Sequence, residues 1–238
     1  MRNNRQHFYW SSIILVFVFA GAGCVKSTSN SVNTSAVCYV SILNEAPYGP
    51  SVDMYFNGTL VSVAAIAPGN YSSEYGSVKP GNYTVDFKVT GTDSLLCEIP
   101  AAEYDTSAFY TLIIYNTAPK SPAVAAARIV DDYSSVTQTT SAYYRFFNLS
   151  PDAPGVDLYL NSTVAQTNRS PMDNLTNLSY DEFQPINPGT FSVNVKKAST
   201  DTVLASISTT EMMPSTVYTI FLYGTSSNLA VNVLTATY

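Results

Sequence analysis

Apolar and polar residues alternate along short segments of the chain. Val52–Phe56 places apolar side chains on one face and Asp53 and Tyr55 on the other, the pattern of a half-buried strand. Asn57-Gly58 follows at once, and this pair favours the positive φ angles of a two-residue hairpin turn. Residues 109–115 form a nearly continuous apolar run, which predicts a central strand covered on both faces.

Turn signals recur at short intervals, and no segment has the period of an amphipathic helix. The turn-forming sequences at 79–82 and 91–94 separate further strand-like segments, among them 83–89 and 95–99. About seven or eight short strands in roughly 100 residues, each bounded by a turn, indicate a β-sandwich.

The segments occur twice. Residues 44–59 align with 148–163 at an offset of 104, and 8 of the 16 positions are identical. Residues 80–115 align with 188–223 at an offset of 108, and 13 of these 36 positions are identical. The sequence therefore predicts an all-β protein with two tandem Ig-like/Greek-key β-sandwich domains after an N-terminal signal peptide.

The predicted domains cover residues 38–130 and 142–238, and a polar linker, 131–141, joins them. Each domain is expected to fold independently, provided that the contact between them is modest.

The N-terminus carries an export signal. Arg2 and Arg5 precede an apolar stretch at 13–23 that is shorter than the ~20 residues of a spanning helix, so it predicts a signal peptide, residues 1–23. The small residues before Cys24 resemble the lipobox of bacterial lipoproteins, which implies cleavage before Cys24 and its lipidation. The alternatives are an ordinary secretory signal and an uncleaved anchor. Residues 24–37 are rich in Ser, Thr and Asn and predict a flexible tether.

Composition excludes some classes of protein. Hydrophobic residues make up 46% of the chain, which argues against intrinsic disorder. Charged residues make up only 12% and the net charge is −6, so no nucleic-acid partner is expected.

Few residues suit catalysis. The single histidine, His7, lies in the signal peptide, and the sequence has no phosphate-binding loop, Gly-x-Ser-x-Gly, His-Glu-x-x-His or Cys-x-x-Cys. We therefore expect a protein that is not an enzyme and that has no cofactor and no metal.

Cys38 and Cys97 both fall in the first copy, and each alternates with aliphatic residues. Both are expected on the apolar face of the sandwich, and an exported protein favours a disulfide between them. Such a bond closes a loop of about 59 residues and stabilises the fold by roughly 4 kcal/mol. The second copy has Ala142 and Ala205 at the equivalent positions, both small and compatible with a core. The alternative is two buried free thiols that act as small hydrophobic residues.

Asp152 and Asp157 are a candidate carboxylate pair, because acid–base catalysis needs two such groups in one cleft. Asp152 instead suits an Asx turn, and Asp157, like Asp53, suits the solvated face of a strand. Residues 173–177 with Asp181 and Glu182 offer oxygens to Ca²⁺ but lack its regular ligand spacing, so no metal site is expected there.

The tyrosines divide into two groups. Tyr110 and Tyr218 begin equivalent strands and resemble corner tyrosines, whose hydroxyl groups bond nearby backbone. Tyr71, Tyr75 and Tyr104 either cover a sheet or stack on sugar rings from an exposed position.

Two short sequences, Asp93-Ser94-Leu95 and Asp201-Thr202-Val203, occupy the same repeat position. They resemble a bacterial acceptor motif for O-glycosylation, which makes Ser94 and Thr202 candidate acceptors. The alternative is an Asx-type opening of the strand that follows each of them.

Residues 146–159, 188–195 and 217–221 together resemble the bacterial domain-of-unknown-function 4397 family. Its pattern is a strand that ends in Ser-Pro-Asp-Ala-Pro, a Val-Asp-aliphatic-Tyr strand, a Pro-x-Gly-Thr-Tyr turn and a late Tyr-Thr strand. The first copy departs at Tyr48, where the turn Asp is missing. The resemblance covers almost the whole mature chain and implies tandem, envelope-anchored or secreted β-sandwich modules without an assigned activity.

These observations predict a lipid-anchored protein of the bacterial outer membrane, on its periplasmic face or at the cell surface, that acts as a non-catalytic binding or structural module. Its expected partners are the membrane, through the lipid anchor, and a glycan or an envelope protein. One alternative is a glycan-binding, adhesin-like module that uses Tyr and Asn side chains of residues 164–187. A carboxylate-dependent polysaccharide hydrolase is the other alternative.

Overall fold

The structure, a computed structural model, describes residues 36–72 and 74–237 of the chain. All of them belong to one unit, Ser35–Tyr238. Their regular secondary structure consists of strands and two short 3₁₀ turns, so the all-β prediction is confirmed. The predicted signal peptide and Cys24 lie outside the described residues.

The described residues of the first copy form eight strands in two four-stranded sheets. The sheet orders are β4-β1-β7-β8 and β3-β2-β5-β6, and β1 pairs with β7 in parallel. The apolar faces of the sheets enclose a core that includes Val52, Phe87 and Leu112. The strands are β1 (Cys38–Glu45), β2 (Val52–Phe56), β3 (Thr59–Leu60), β4 (Gly76–Val78), β5 (Gly81–Val89), β6 (Leu95–Tyr104), β7 (Phe109–Asn116) and β8 (Val124–Asp131).

The second copy repeats this arrangement. Its sheet orders are β12-β9-β15-β16 and β11-β10-β13-β14, and β9 pairs with β15 in parallel. The 3₁₀ turns Asp173–Leu175 and Leu178–Asp181 lie in the loop between β11 and β12. The predicted tandem sandwiches are thus confirmed. The strands are β9 (Ala142–Asn148), β10 (Val156–Leu160), β11 (Thr163–Arg169), β12 (Gln184–Ile186), β13 (Gly189–Lys197), β14 (Val203–Met212), β15 (Thr216–Thr225) and β16 (Asn228–Thr237).

Local signals in the sequence correspond to local structure. Asn57 and Gly58 have φ angles of 45° and 76° and join β2 to β3, as predicted. The backbone N–H of Asp105 donates to Tyr110 Oη at 2.7 Å, and that of Met213 donates to Tyr218 Oη at 2.7 Å. Both predicted corner tyrosines are therefore confirmed.

Strand β7 is buried on both faces, which explains its continuous apolar run. Leu112 and Ile114 face the core of the first sandwich, whereas Ile113 lies in a cluster shared with the second copy. The linker also packs, because Val136 is buried against Tyr143 and Phe183. The two sandwiches therefore share an extensive apolar interface.

We expect the two halves to remain associated after the linker is cut, because separation would expose the shared cluster around Ile113 to water. A protease site is inserted at the exposed residues 134 and 135, and the cleaved protein is analysed by size-exclusion chromatography. The expected result is one species that dissociates only in denaturant.

The same insertion combined with Ile113→Asp is the control. It places an unpaired charge in the interface and should release two fragments. Two folded, separate halves from the parental cut protein would instead support independent domains.

Candidate functional site: the interface between the two copies

The interface consists of residues at equivalent positions of the two copies. Outward-facing side chains of β1, β7 and β8 join those of β9, β15 and β16 in one buried cluster. The two copies therefore meet through the same surface, as the subunits of an isologous dimer do. Three repeat pairs have both members in the cluster: Leu43 with Phe147, Ile113 with Phe221, and Ile129 with Leu234.

A buried ion pair crosses this interface. Arg145 in β9 and Asp131 at the end of β8 expose no side-chain surface, and Arg145 Nη2 lies 2.5 Å from Asp131 Oδ1. Asp131 also accepts hydrogen bonds from Thr111 Oγ1 at 2.8 Å and Tyr75 Oη at 2.9 Å. Arg145 Nε donates to Thr219 Oγ1 at 2.9 Å. Each charge thus has further polar partners, which a buried pair requires to be tolerated.

Two aromatic rings cover the Arg145 guanidinium. Its Cζ atom lies 4.7 Å from the centroid of the Phe147 ring and 4.5 Å from that of Phe183. A desolvated cation over an aromatic ring gains about 2 kcal/mol. The rings also keep water from the ion pair, which strengthens its electrostatic attraction.

The ion pair occurs on one side of the repeated surface only. Ser41 stands at the position equivalent to Arg145. The strand registers place Ala236 at the position equivalent to Asp131. Charge therefore distinguishes the two surfaces at these positions.

A second polar contact joins equivalent positions directly. Tyr48 Oη donates to Asp152 Oδ2 at 2.9 Å, and these residues are 104 positions apart, which is the repeat offset. Asp152 also accepts from the backbone N–H of Ser226 at 2.8 Å. Where the first copy lacks the turn Asp, it supplies a hydroxyl group that binds the Asp of the second copy.

A pocket of about 330 Å³ lies beside this contact, between the two copies. Its walls include Glu45, Pro47 and Gly69 from the first copy and Tyr223 and Ala230 from the second. Glu45 is 1% exposed, and neither of its carboxyl oxygens has a hydrogen-bond partner. Burial raises the pKa of Glu45 well above its usual value.

The predicted disulfide between Cys38 and Cys97 is wrong, because both residues are free thiols. Both belong to the first core, as expected, but they lie at opposite ends of it. Cys38 lies near Tyr104, at the far end of the strand that carries Cys97. Seven residues of strand span about 20 Å, whereas a disulfide needs Cα atoms within about 7 Å. Burial raises the pKa of both thiols, that of Cys97 to about 12.

The candidate carboxylates do not converge on one cleft. Asp53 and Asp157 each bind the next hairpin of their own copy: Gly91 N donates to Asp53 at 3.3 Å, and Ser199 N donates to Asp157 at 3.0 Å. Asp157 is also buried, contrary to the solvated position expected for it. Asp152 accepts hydrogen bonds from Tyr48 across the copies and from Ser226 and Ser150 within its own copy, so its carboxylate is also used structurally.

The acidic stretch of the second copy is organised by an arginine. Arg169, with almost no exposed side-chain surface, binds Asp173 through Nε at 2.8 Å and Nη2 at 2.7 Å. Ser170 N donates to the same carboxylate at 2.9 Å. The Asp173 oxygens are thus already bound within the protein. Among the described residues, no group of three or more His, Cys, Asp or Glu side chains is placed to hold a metal ion.

The three unassigned tyrosines cover protein surfaces. Tyr104 is fully buried in the first core. Tyr71 packs edge-on against Phe221 with ring centroids 5.3 Å apart, and Tyr75 bonds Asp131. Tyr104 is buried, and the hydroxyl groups of Tyr71 and Tyr75 are bound to Asn232 and Asp131, so all three are used within the protein.

Ser94 and Thr202 are both exposed, and each stands just before the strand that closes a hairpin. The neighbouring Asp93 and Asp201 each pair with a lysine of the preceding strand, Lys88 at 3.5 Å and Lys196 at 3.2 Å. The two candidate acceptors therefore share one local geometry, and O-glycosylation stays a prediction.

The predicted anchor residue, Cys24, lies outside the described residues. Within 36–72 and 74–237, no helix is long and apolar enough to cross a membrane.

Sequence reasoning missed the charged residues of the interface. The polar stretch 131–141 predicts a linker that includes Asp131, and no local pattern marks Arg145 or Glu45 as interface residues. A position-by-position comparison of the copies contains the signal. Ser41 is the repeat equivalent of Arg145, and Leu149 is the repeat equivalent of Glu45. When a buried repeat position carries a charged residue in one copy and an uncharged residue in the other, the two copies have different roles at that position.

A model of the family described as Domain of unknown function (DUF4397) matches residues 38–159 and 142–237. The two matches overlap and together span both sandwiches, which agrees with tandem copies. No curated protein matches the chain.

Asp131→Asn should lower the free energy of unfolding by about 3–5 kcal/mol, because it leaves the Arg145 charge buried without its partner. The double variant Asp131→Ala with Arg145→Ser, which copies Ala236 and Ser41, should recover most of this loss because it removes both charges. Urea denaturation gives the free energy of unfolding of the parent, the single variant and the double variant. Asp93→Asn is the control, since its ion pair is exposed and should matter little. A double variant as unstable as the single one would contradict coupling across the interface.

Asp181 should make stability fall as pH rises. Burial raises the pKa of Asp181 to about 6 from a usual 3.8, although the Arg145 charge acts against it. The folded state therefore binds a proton more tightly than the unfolded state, and this contribution to stability is lost between pH 4 and 6. The stability of Asp181→Asn relative to the parent should thus rise across this range, as measured by urea denaturation at each pH. Asp201→Asn, which removes a fully exposed carboxylate, should show no such trend; equal trends would refute the assignment.

Proposed function

The chain belongs to the DUF4397 family, and on that premise we propose that it is a non-catalytic binding or structural module, held in the bacterial cell envelope by a lipid on Cys24. The proposed location is the outer membrane, on its periplasmic face or at the cell surface. The small residues before Cys24 and the polar tether that follows support this location.

The observation that carries the proposal is the interface between equivalent surfaces of the two copies. It joins two sandwiches through an apolar cluster, a buried ion pair and the Tyr48–Asp152 hydrogen bond. Such a frame holds loops of both copies in fixed relative positions, and loops on a rigid frame are where binding residues concentrate.

The use that the fold makes of Asp53, Asp152, Asp157 and Asp173, all noted in the sequence, supports a non-catalytic role. Asp53 and Asp157 hold hairpins, Asp152 holds the interface, and Asp173 holds Arg169. A general acid or base needs a carboxyl group that is free to exchange a proton with substrate. Turnover of a polysaccharide by the protein would overturn this part of the proposal.

A glycan-binding module is the second candidate. Tyr55 and Tyr159 are half-buried at equivalent positions of β2 and β10, and each has a lysine over its ring, at 4.7 Å and 4.3 Å. A partly exposed ring beside a hydrogen-bond donor suits a sugar. A sugar class that binds the parent on a glycan array but not Tyr55→Ala with Tyr159→Ala would favour this candidate.

Cys24→Ala should abolish lipid attachment and move the protein from the membrane to the soluble fraction, because one acylated residue is the proposed anchor. Intact mass and fractionation of cell envelopes measure this. Cys38→Ala is the matched control and should remain lipidated and membrane-bound, since Ala142 fills the equivalent position of the second copy. Unchanged membrane partition of Cys24→Ala would refute the lipid anchor.

A further inference from the structure

The pocket between the copies contains a carboxyl group that the fold does not use. Glu45 lies at the end of β1 with 1% of its surface exposed. Both of its oxygens are buried and receive no hydrogen bond. A buried carboxyl group without donors is costly, whether charged or neutral. The fold alone gives no reason to retain it.

The second copy shows how the same position is filled when no carboxyl group is present. Leu149 stands at the position of Glu45, is fully buried and belongs to the shared apolar cluster. An apolar side chain therefore suits this strand position and this surface. The first copy places an acid where its own repeat places leucine.

A second difference opens the space in front of Glu45. Gly69 N donates to Asn44 O at 2.7 Å, and Met172 N donates to Asn148 O at 2.8 Å, so these residues occupy corresponding places. Both have positive φ angles, 79° and 55°. Met172 packs against the apolar cluster, whereas Gly69 has no side chain and lines the pocket. The pocket therefore coincides with two differences between the copies, Glu45 in place of Leu149 and Gly69 in place of Met172.

The other walls indicate the chemistry of a ligand. Pro47, Pro68, Ala230 and the ring of Tyr223 present apolar surface, and none of the residues that line the pocket is cationic. A volume of about 330 Å³ is at the small end of ligand pockets. The Glu45 oxygens lie below the accessible surface, so only a slender group can approach them, with a small shift of a wall side chain.

We propose that this pocket binds a primary ammonium group on an apolar stem, with Glu45 as the anion that pairs with it. The ammonium supplies the opposite charge, which stabilises the carboxylate form of Glu45 as its proton leaves to solvent, and the hydrogen-bond donors that the carboxyl group lacks. The stem packs on the prolines and on Tyr223. Two sources offer this chemistry, a free alkylamine and a lysine side chain of a peptide. The inference rests on the proposed binding function and deepens it by naming a ligand class.

The test is a titration of the full-length chain in detergent, followed by calorimetry and by NMR of the Gly69 and Ala230 amides. The probes are n-butylamine for the free source and Nα-acetyl-lysine N-methylamide for the peptide source. n-Butanol and butyltrimethylammonium are the control ligands, since the first lacks the charge and the second lacks N–H donors. Binding of either amine, with shifts at both amides and no binding of the controls, is the expected result.

Three variants locate the site. Glu45→Gln should weaken amine binding about tenfold or more, because it removes a charge-assisted hydrogen bond. Glu45→Leu, which copies Leu149, should abolish binding while the protein stays folded. Gly69→Met, which copies Met172, should fill the pocket and also abolish binding; a Cβ atom there meets only Tyr223 Cε2, at 3.7 Å, but the φ angle of 79° strains any side chain, so the fold of this variant is checked by circular dichroism. Glu98→Gln removes an exposed carboxyl group of the same copy and should change nothing.

If neither amine binds over the full range of concentrations tested, the inference is overturned. Binding that survives Glu45→Leu, or equal binding of n-butanol, would overturn it as well. These results would leave the proposed anchored module intact, because lipidation of Cys24 is measured separately. If the protein carries no lipid on Cys24 but still binds the amines, the anchored module is refuted and the amine pocket is supported.

Discussion

The ion pair between Arg145 and Asp131 is the interaction on which the arrangement of the two copies depends. Its two charges come from different sandwiches and have no exposed side-chain surface. Neither sandwich could bury its own charge alone without a large desolvation cost. The surrounding rings and hydroxyl groups come from both copies as well, so the site is complete only when the two halves are together.

This dependence changes the meaning of the duplication. Tandem copies of a domain often share only a small, polar interface and move relative to each other. Here the same face of each copy is apolar, and the two faces bury one another. The result resembles a dimer of identical subunits whose two halves have since become different. Arg145, Asp131, Glu45 and Gly69 are places where that difference has accumulated.

The fold was largely predictable, because its signals are local. The alternation along β2, the Asn57-Gly58 turn and the corner tyrosines each depend on a few neighbouring residues. The run of apolar residues in β7 correctly predicted cover on both faces, but the sequence did not say that the second cover is the other copy. The Cys38–Cys97 prediction failed for a related reason. Alternation determines which face a side chain occupies, but not how far along the sandwich it lies.

The candidate site was harder to predict because it depends on contacts between distant residues. Asp131 looked like a linker residue, since its partner is across the interface. Asp152 looked like a turn residue, and its bond to Tyr48 needs both copies in place. These contacts join residues at equivalent positions, so a comparison of the copies with each other is more informative than a search for known motifs.

The one-sided placement of the ion pair also has a consequence for how the chain assembles when many copies fold side by side. Two first copies from different chains could cover each other's apolar faces, but both Asp131 carboxylates would then face Ser41 and lack a cation. Two second copies would leave two Arg145 side chains facing Ala236. Only a first copy with a second copy neutralises both charges. A first sandwich that folds before the second one therefore pairs poorly with the first sandwiches of other chains. Its apolar face stays available for the second sandwich of its own chain.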